Sequence, residues 1–174
     1  MIDIGMYHGD RVIRDRELIK AILDMCDVIN IGFNDGEYPY VLPVNFGYDF
    51  DGDLVFYMHH AVDGYKKKLV AQNPKVCVVT YAFAGHIKND IDHSSHDYRS
   101  VMAFGEMSFI SRDSADYKKA WDALARGYGH KVPDSVYAPD MKVLMGKIVC
   151  RPENVIGKAQ IPVKEMSQIP LRGL

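Results

Sequence analysis

The sequence has few cysteines, little net charge and no long apolar run, and each absence excludes a class of protein. Three cysteines without a Cys-x-x-Cys pair argue against a disulfide framework and a zinc knuckle. Lys and Arg number 21 against 23 Asp and Glu, a net charge of -2, so no general basic field attracts nucleic acid or an anionic membrane. No segment approaches the roughly 20 apolar residues of a membrane helix, and the first residues do not resemble a secretory signal. We therefore expect a reduced, cytoplasmic protein that binds neither nucleic acid nor membrane.

The composition is typical of one folded domain. Hydrophobic residues make up 48% of the chain and charged residues 25%, which excludes disordered and collagen-like proteins. A chain of 174 residues buries roughly 70% of its unfolded surface, enough for one hydrophobic core. We expect a single domain over residues 1–174, in which residues 159–174 form a C-terminal tail.

Apolar residues at the spacing of an α-helix occur in three segments, residues 14–26, 64–72 and 114–126. Asp15 is a suitable N-cap for the first helix, and Asp113 or Ser114 is a suitable N-cap for the third. The short middle helix is expected to stop at Asn73-Pro74, because proline cannot continue the hydrogen-bond ladder.

The other segments rich in β-branched and aromatic residues predict about six antiparallel strands, over residues 28–33, 38–48, 54–59, 75–83, 98–111 and 143–150. The step Asp35-Gly36 between the first two strands is a strong signal for a hairpin. Many strands with few helices predict a mainly β fold in the form of a barrel.

Residues 84–97 are expected to form a polar loop whose length indicates either a function or mobility. This segment contains His86, His93 and His96, which are residue types that bind metals. Their spacing matches no metal-binding helix pattern, so we expect no metal site.

The sharpest local signal is the cluster Lys66-Lys67-Lys68 in the first turn of the predicted short helix. Cations are unfavourable there, by roughly 0.3–1 kcal/mol each, because the helix dipole is positive at its N-terminus. A bound phosphate would reverse the sign of that interaction. The alternative is a solvated cluster of charges.

Two further segments have a candidate role and an ordinary structural alternative. Pro43 lies inside a predicted strand, where it removes a hydrogen-bond donor and indicates an edge strand or a bulge. Arg99 and Ser100 open another strand and could contact a phosphate or a ring carbonyl, or they could be ordinary edge-strand residues.

Together and in this order, these segments resemble the pyridoxamine 5'-phosphate oxidase-related flavoproteins, which have an FMN-binding split-barrel fold. Within that class the chain is most similar to the 5-nitroimidazole antibiotic resistance proteins. The resemblance extends over roughly residues 8–158. The matching segments are residues 14–17, 35–46, 59–66, 73–77, 98–101 and 104–105.

The resemblance implies a homodimer with FMN, or alternatively FAD, bound at the interface between the two subunits. By position, Lys66 would hold the flavin phosphate. Tyr65 stands where relatives commonly have a basic residue, so Lys67 or Lys68 is an alternative phosphate ligand. The other residues implied to contact the cofactor are Pro43, Val44 and Asn45 beside the isoalloxazine ring, His59, His60 and Ala61 near it, and Arg99, Ser100 and Val101 from this subunit or its partner.

The function implied by the resemblance is a flavin-dependent oxidoreductase that reduces nitro-aromatic compounds of the 5-nitroimidazole type or other electron acceptors. His59 or His60 could act catalytically by protonating a reduced substrate, because histidine titrates near neutral pH. Oxidation of pyridoxamine phosphate is a second enzymatic hypothesis, although the C-terminal residues do not match the pattern of true oxidases. A third hypothesis is a protein that binds flavin or haem without catalysis.

Overall fold

The structure is a computed structural model that describes residues 8–89, 93–129, 131–133 and 143–160. Three helices lie in this part of the chain: α1 (Arg16–Leu23), α2 (Tyr65–Gln72) and α3 (Ala115–Gly127). Nine strands accompany them: β1 (Val12–Ile13), β2 (Val28–Phe33), β3 (Tyr40–Asn45), β4 (Gly47–Asp49), β5 (Leu54–Ala61), β6 (Lys75–Asn89), β7 (His93–Ile110), β8 (Val143–Cys150) and β9 (Val155–Ala159). The mainly β prediction is therefore confirmed.

All nine strands belong to one antiparallel sheet, which curls into a barrel. The main path through the sheet runs β3-β2-β6-β7-β8-β5-β4, and β9 pairs with both β7 and β1. The strands at the two ends of this path, β3 and β4, are separated in the chain by Phe46 alone. A sheet whose opposite edges are joined by one residue must curl until those edges meet. In the described part of the chain no ladder pairs β3 with β4, so the barrel stays split at this seam.

The helix caps follow the sequence predictions. Asp15 caps α1, accepting a hydrogen bond from the backbone N–H of Leu18 at 3.0 Å. Ser114 caps α3 and accepts from the backbone N–H of Asp116 at 3.2 Å. The helix α2 ends at Gln72, directly before Asn73-Pro74 as expected.

The strand count of about six was too low, and the predicted loop over residues 84–97 was wrong. The added strands β1, β4 and β9 have two, three and five residues, too few for a periodic pattern to be visible in the sequence. Both β6 and β7 continue into the supposed loop, with paired backbones from Gly85–Asp97 to Asn89–His93. This segment predicted a loop because its sequence is polar and lacks the alternation of apolar and polar residues that indicates a strand. The start of the proposed tail was also misplaced, because Ala159 is buried as the last residue of β9.

Two hydrophobic clusters lie on opposite faces of β5. Phe56 and Met58 face the barrel interior, where they join the apolar faces of α1 and α2. Tyr57 faces outward into a second cluster formed mainly with α3. No helix in the described residues is long and apolar enough to cross a membrane.

The helix α3 packs directly on the backbone of β4. A Cβ atom added at Gly47 would lie 2.2 Å from the carbonyl carbon and oxygen of Ala123. No side chain fits into that space, so glycine at position 47 sets how closely α3 approaches the barrel.

We expect Gly47→Ala to destabilise the protein by about 1–3 kcal/mol, because the helix must move away from β4 to admit the methyl group. The matched control is Gly52→Ala, since a Cβ atom at Gly52 would meet nothing within 4 Å. Urea unfolding of both variants measures the difference. Equal stabilities would contradict the close contact between α3 and β4.

Candidate functional site

The N-terminus of α2 is open to solvent and has no side-chain cap. Its N-cap is Gly64, whose φ of 145° and ψ of 175° are accessible to glycine but strained for other residues. No acidic residue lies in the first turn of the helix. The nearest carboxylate is that of Asp63, which accepts a hydrogen bond from the N–H of Gly64 at 2.9 Å. The helix therefore begins with unsatisfied backbone donors, which favour an anion.

The three lysines of this turn have different environments. Lys66 is half-buried, and burial lowers the pKa of its ammonium group. It makes no hydrogen bond or ion pair with the described residues. Lys67 is exposed and donates to the backbone carbonyl of Val62 at 3.3 Å, while Lys68 is exposed. Lys66 is therefore the lysine whose charge lacks both full hydration and a partner.

A cavity of about 190 Å³ opens beside this turn. Its walls come from the start of α2, the end of β5, the start of β3 and the end of β7. The lining residues are Tyr40, His60, Ala61, Asp63, Gly64, Tyr65, Lys66, Lys67 and Phe109. The structure thus brings together His60, Ala61, Lys66 and Lys67 from the set predicted to bind the cofactor.

His60 is the buried polar residue of this cavity. Its side chain contacts the ring of Phe109 edge-on, with centroids 5.0 Å apart. Both ring nitrogens are buried and have no hydrogen-bond partner among the described residues. Burial, together with the smaller effects of the nearby Lys66 and His59, lowers the pKa of His60 to about 3. His60 is therefore neutral at pH 7, so its imidazolium form is not available there as an acid.

The space for His60 is provided by Gly146 on the neighbouring strand β8. A Cβ atom at this glycine would lie 2.5 Å from Cε1 of His60 and 2.8 Å from Nε2. Any side chain at position 146 would therefore push the imidazole ring out of its position. This contact could not be predicted from the sequence, because a glycine inside a strand has many possible causes.

His59 lies on the opposite face of β5. Its ring is nearly parallel to that of Trp121 on α3, with centroids 6.3 Å apart and planes at 19°. Successive residues of a strand point to opposite faces, so the two histidines cannot both line one cavity of the same chain. His59 and His60 were predicted to lie together near the cofactor, whereas within one chain they lie on opposite faces of β5.

Tyr65, the residue that departs from the family pattern, connects α2 with the β2–β3 hairpin. Its hydroxyl donates to Oδ1 of Asp35 at 2.6 Å, and its ring meets that of Tyr40 edge-on at 5.5 Å. This hydrogen bond is the main reason that the pKa of Tyr65 is raised. Tyr65 therefore fixes a wall of the cavity instead of supplying a positive charge. Tyr40 and Phe109 complete that wall and were not predicted from the sequence.

Pro43, Val44 and Asn45 lie on β3, which is an edge strand as Pro43 predicted. Pro43 and Asn45 are exposed, while Val44 packs partly against the core. The side-chain amide of Asn45 donates to the backbone carbonyl of Asp27 at 3.0 Å. The outer edge of β3 is thus open along the residues expected to border the isoalloxazine ring.

Arg99, Ser100 and Val101 lie at the other end of β7, about ten residues from Phe109 and therefore roughly 30 Å along the strand. Arg99 is 2% exposed and forms an ion pair with Asp97, at 3.3 Å. Val101 is buried in the barrel interior, and the hydroxyl of Ser100 donates to the carbonyl of Lys158 at 3.4 Å. Within one chain, these three residues are not part of the cavity at α2.

The histidine segment and the tail lie largely outside what the structure describes. The side chains of His86 and His93 are not among the described ones, and neither are residues 161–174. Within the described residues no group of three or more potential metal ligands occurs.

Comparisons with known proteins agree with this architecture. The sequence model of the family described as pyridoxamine 5'-phosphate oxidase matches residues 15–158. A solved structure of a candidate 5-nitroimidazole antibiotic resistance protein from Bacteroides thetaiotaomicron is 27% identical, with a TM-score of 0.66 over 85% of this chain and 86% of that one. No curated protein sequence matches significantly.

Two other solved structures share the fold at lower identity. An FAD and haem binding protein from Mycobacterium smegmatis is 17% identical, with a TM-score of 0.67 over 92% of this chain and 80% of that one. A flavocytochrome from Azotobacter vinelandii is 18% identical, with a TM-score of 0.64 over 95% of this chain and 78% of that one. These likenesses support the fold predicted from the sequence.

The neutral state of buried His60 makes stability depend on pH. The pKa of His60 is about 3 in the folded protein, against about 6.5 for an unfolded histidine, so the unfolded chain binds more protons between these values. The contribution is present above pH 6.5 and is lost as the pH falls towards 3. The wild type should therefore lose stability relative to His60→Leu as the pH falls through this range, by up to about 1.4 kcal/mol per pH unit.

Urea unfolding at a series of pH values measures this difference. Above neutral pH the difference between the unfolding free energies of the two proteins should stay constant, which provides the internal control. Parallel curves down to pH 4 as well would show that His60 is not held in its neutral form.

Proposed function

Since the chain belongs to the pyridoxamine 5'-phosphate oxidase family, we propose that it is a flavin-dependent oxidoreductase that binds FMN, or else FAD, with a flavin phosphate at the start of α2. The observation that carries this proposal is Lys66, a half-buried cation without a partner in the described residues, at a helix N-terminus that has no side-chain cap. An anion would satisfy the lysine and the free backbone donors together.

Apart from Asp63, whose carboxylate accepts from the N–H of Gly64, the polar residues of the cavity fit a phosphate group. Burial leaves both ring nitrogens of His60 without partners, and a neutral imidazole can donate one hydrogen bond. A phosphate in the cavity would also oppose the effect of Lys66 on the pKa of His60. A volume of about 190 Å³ has room for a phosphate but not for a whole flavin, so the ring must extend beyond this cavity.

The edge of β3 offers a surface for that ring. Val41 and Pro43 are exposed and apolar there, and Val41 is 55% exposed. The proline removes one backbone donor, which keeps another strand from pairing along this edge. In this arrangement Lys66 anchors the phosphate, Tyr40 and Tyr65 form the wall beside it, and β3 orients the ring. When bound, the flavin supplies electron transfer that no side chain of the chain can provide.

We also propose that a second copy of this chain covers the outer face of β2, β3, β6 and the first half of β7. The ladder registers place the outward residues of these strands side by side. Between the cross-strand pair Lys75 and Glu106 at one end and the register shift after Phe83 at the other, none of them is charged, and Tyr81 and Phe83 are 66% and 45% exposed. These uncharged outward residues are Val28, Asn30, Gly32, Val41, Pro43, Asn45, Cys77, Val79, Tyr81, Phe83, Tyr98, Ser100, Met102 and Phe104. A contiguous uncharged face of this kind is typical of an interface between subunits.

The proposed substrates are small nitro-aromatic compounds, by similarity to the Bacteroides protein named as a 5-nitroimidazole resistance protein. One observation favours a second candidate, a protein that binds flavin without catalysis. His60 lines the cavity but is neutral at pH 7, since its pKa is about 3, so this cavity offers no imidazolium to protonate a reduced substrate. His59 stays a candidate proton donor on the other face of β5.

The first test is the absorption spectrum of the purified protein, with the released chromophore identified by mass spectrometry. We expect a flavin band, and Lys66→Gln should reduce flavin affinity about tenfold or more, because a charge-assisted hydrogen bond is worth ~1.5–3 kcal/mol. Lys68→Gln, which removes an equal charge from the exposed part of the same helix, should bind flavin as the wild type does. A colourless protein that takes up neither FMN nor FAD would overturn the proposal.

Turnover separates the two candidate functions. The flavin-loaded protein is reduced with NAD(P)H or dithionite and then mixed with a 5-nitroimidazole under anaerobic conditions. Reoxidation coupled to loss of the nitro compound supports the oxidoreductase, whereas reduced flavin that persists supports a binding protein.

We expect the wild type to have twice the mass of one chain by light scattering. Tyr81→Glu should shift the protein to a monomer, because the partner would bury the new charge without a counter-ion. Ala115→Glu places the same charge at the start of α3, outside the uncharged face, and should leave the dimer intact. A wild-type monomer with full flavin occupancy would contradict a cofactor site shared between subunits.

A further inference from the structure

A second cavity, of about 340 Å³, lies on the outer side of β5, away from the α2 cavity. One wall is formed by Trp121, Leu124, Ala125 and Tyr128, which follow the helical spacing of one face of α3. The facing wall is formed by His59 of β5 and Val143 of β8. Because His59 and His60 point to opposite faces of the same strand, this cavity is separate from the one that contains Lys66.

The chemistry of the second cavity differs from that of the first. Its walls are aromatic and aliphatic. The rings of His59 and Trp121 lie nearly parallel and can stack against a planar ligand. Among the described residues that line this cavity, Lys131 is the one with a formal charge, and its side chain is exposed. Ligand sites of this size typically combine apolar walls with a few polar groups that fix the orientation of the ligand.

The lining residues carry few polar groups, and those groups are hydrogen-bond donors. Lys131 has an ammonium group, and His59 has an imidazole that can donate. The indole N–H of Trp121 is buried within the wall and has no acceptor among the described residues, although such groups usually find one. No carboxylate lines this cavity in the described part of the chain.

We infer that this cavity binds a planar aromatic molecule that carries an anionic group such as a carboxylate. The ring stacks among Trp121, His59 and Tyr128, and the anionic group faces Lys131. The inference does not depend on flavin binding, since Trp121, Tyr128 and Lys131 have no part in the proposed flavin site and His59 faces away from the α2 cavity.

Trp121 makes the test direct, because it is the single tryptophan of the chain. The purified protein, with whatever cofactor it retains and without an electron donor, is titrated with 4-nitrobenzoate and with its neutral analogue 4-nitrobenzamide. We expect saturable quenching of tryptophan fluorescence and a matching calorimetric signal, with the anion binding about threefold more tightly than the amide. Quenching that rises linearly without saturation would overturn the inference.

Three variants locate the binding. Ala125→Phe fills the cavity and should abolish saturable quenching, while Lys131→Gln should bind both compounds equally. Lys118→Gln, which removes a charge from the exposed side of the same helix, should behave as the wild type does. Saturable quenching that survives unchanged in Ala125→Phe would place the ligand elsewhere. If Ala125→Phe fails to fold, Lys131→Gln still tests the inference. This variant must lose the preference for 4-nitrobenzoate over 4-nitrobenzamide, and a preference that persists would overturn the inference.

The same titration in Lys66→Gln separates this inference from the proposed function. Binding of 4-nitrobenzoate should persist in this variant even when flavin is lost. A loss of both together would show that the aromatic compound binds against the flavin, which contradicts a separate cavity.

Discussion

Phe46 joins the two edge strands of the sheet and is the only residue between them. Its side chain is buried, and it packs edge-on against Phe56 of β5 with ring centroids 5.7 Å apart. Because β4 pairs with β5, the chain cannot leave β3 and enter β4 unless the whole sheet has curled. The curl gives the sheet a closed interior and an outer face, and it brings the start of β3 close to the end of β5. The walls that β3 and β5 contribute to the α2 cavity therefore depend on this connection.

The alternation of β5 across the curled sheet then determines the chemistry on each side. His60 points towards the interior, where burial keeps it neutral and Gly146 leaves the space for its ring. His59 points outward, where it meets the aromatic side chains of α3. Two adjacent residues of the same type thus line different cavities, the proposed anion site and the apolar cavity beside α3. The arrangement places no imidazolium acid near Lys66, so in the proposed function a proton for a reduced substrate would come from His59, from solvent or from a second subunit.

Much of the local structure could be predicted from the sequence, because it depends on nearby residues. Asp15 and Ser114 cap their helices through contacts two or three residues away, and Pro43 marks an edge strand through its own missing donor. The lysine cluster indicated an anion site through the dipole of its own helix.

Tertiary contacts determine the features that could not be predicted from the sequence. The strand β9 forms because β7 bends far enough to pair with it as well as with β8, and Arg99 is buried beside Asp97 by that packing. A motif names the residue type but neither the face of the strand nor the position along it. The first limit explains why His59 was grouped with Lys66, and the second explains why Arg99 was.

The placement of Lys66 is costly in the absence of an anion. A half-buried ammonium group without a partner loses hydration, and the helix dipole adds to that cost because the first turn is its positive end. Few of the residues around it offset these effects: Gly64 supplies no cap, Tyr65 is engaged with Asp35, and neutral His60 carries no charge. The carboxylate of Asp63 lines the same cavity but accepts from the N–H of Gly64 and forms no ion pair with Lys66 in the described residues. A carboxylate at position 65 or in the first turn would stabilise the isolated chain, yet it would also fill the role of an external anion. The local instability and the capacity to bind a phosphate therefore have the same physical origin, and removing one by substitution removes the other.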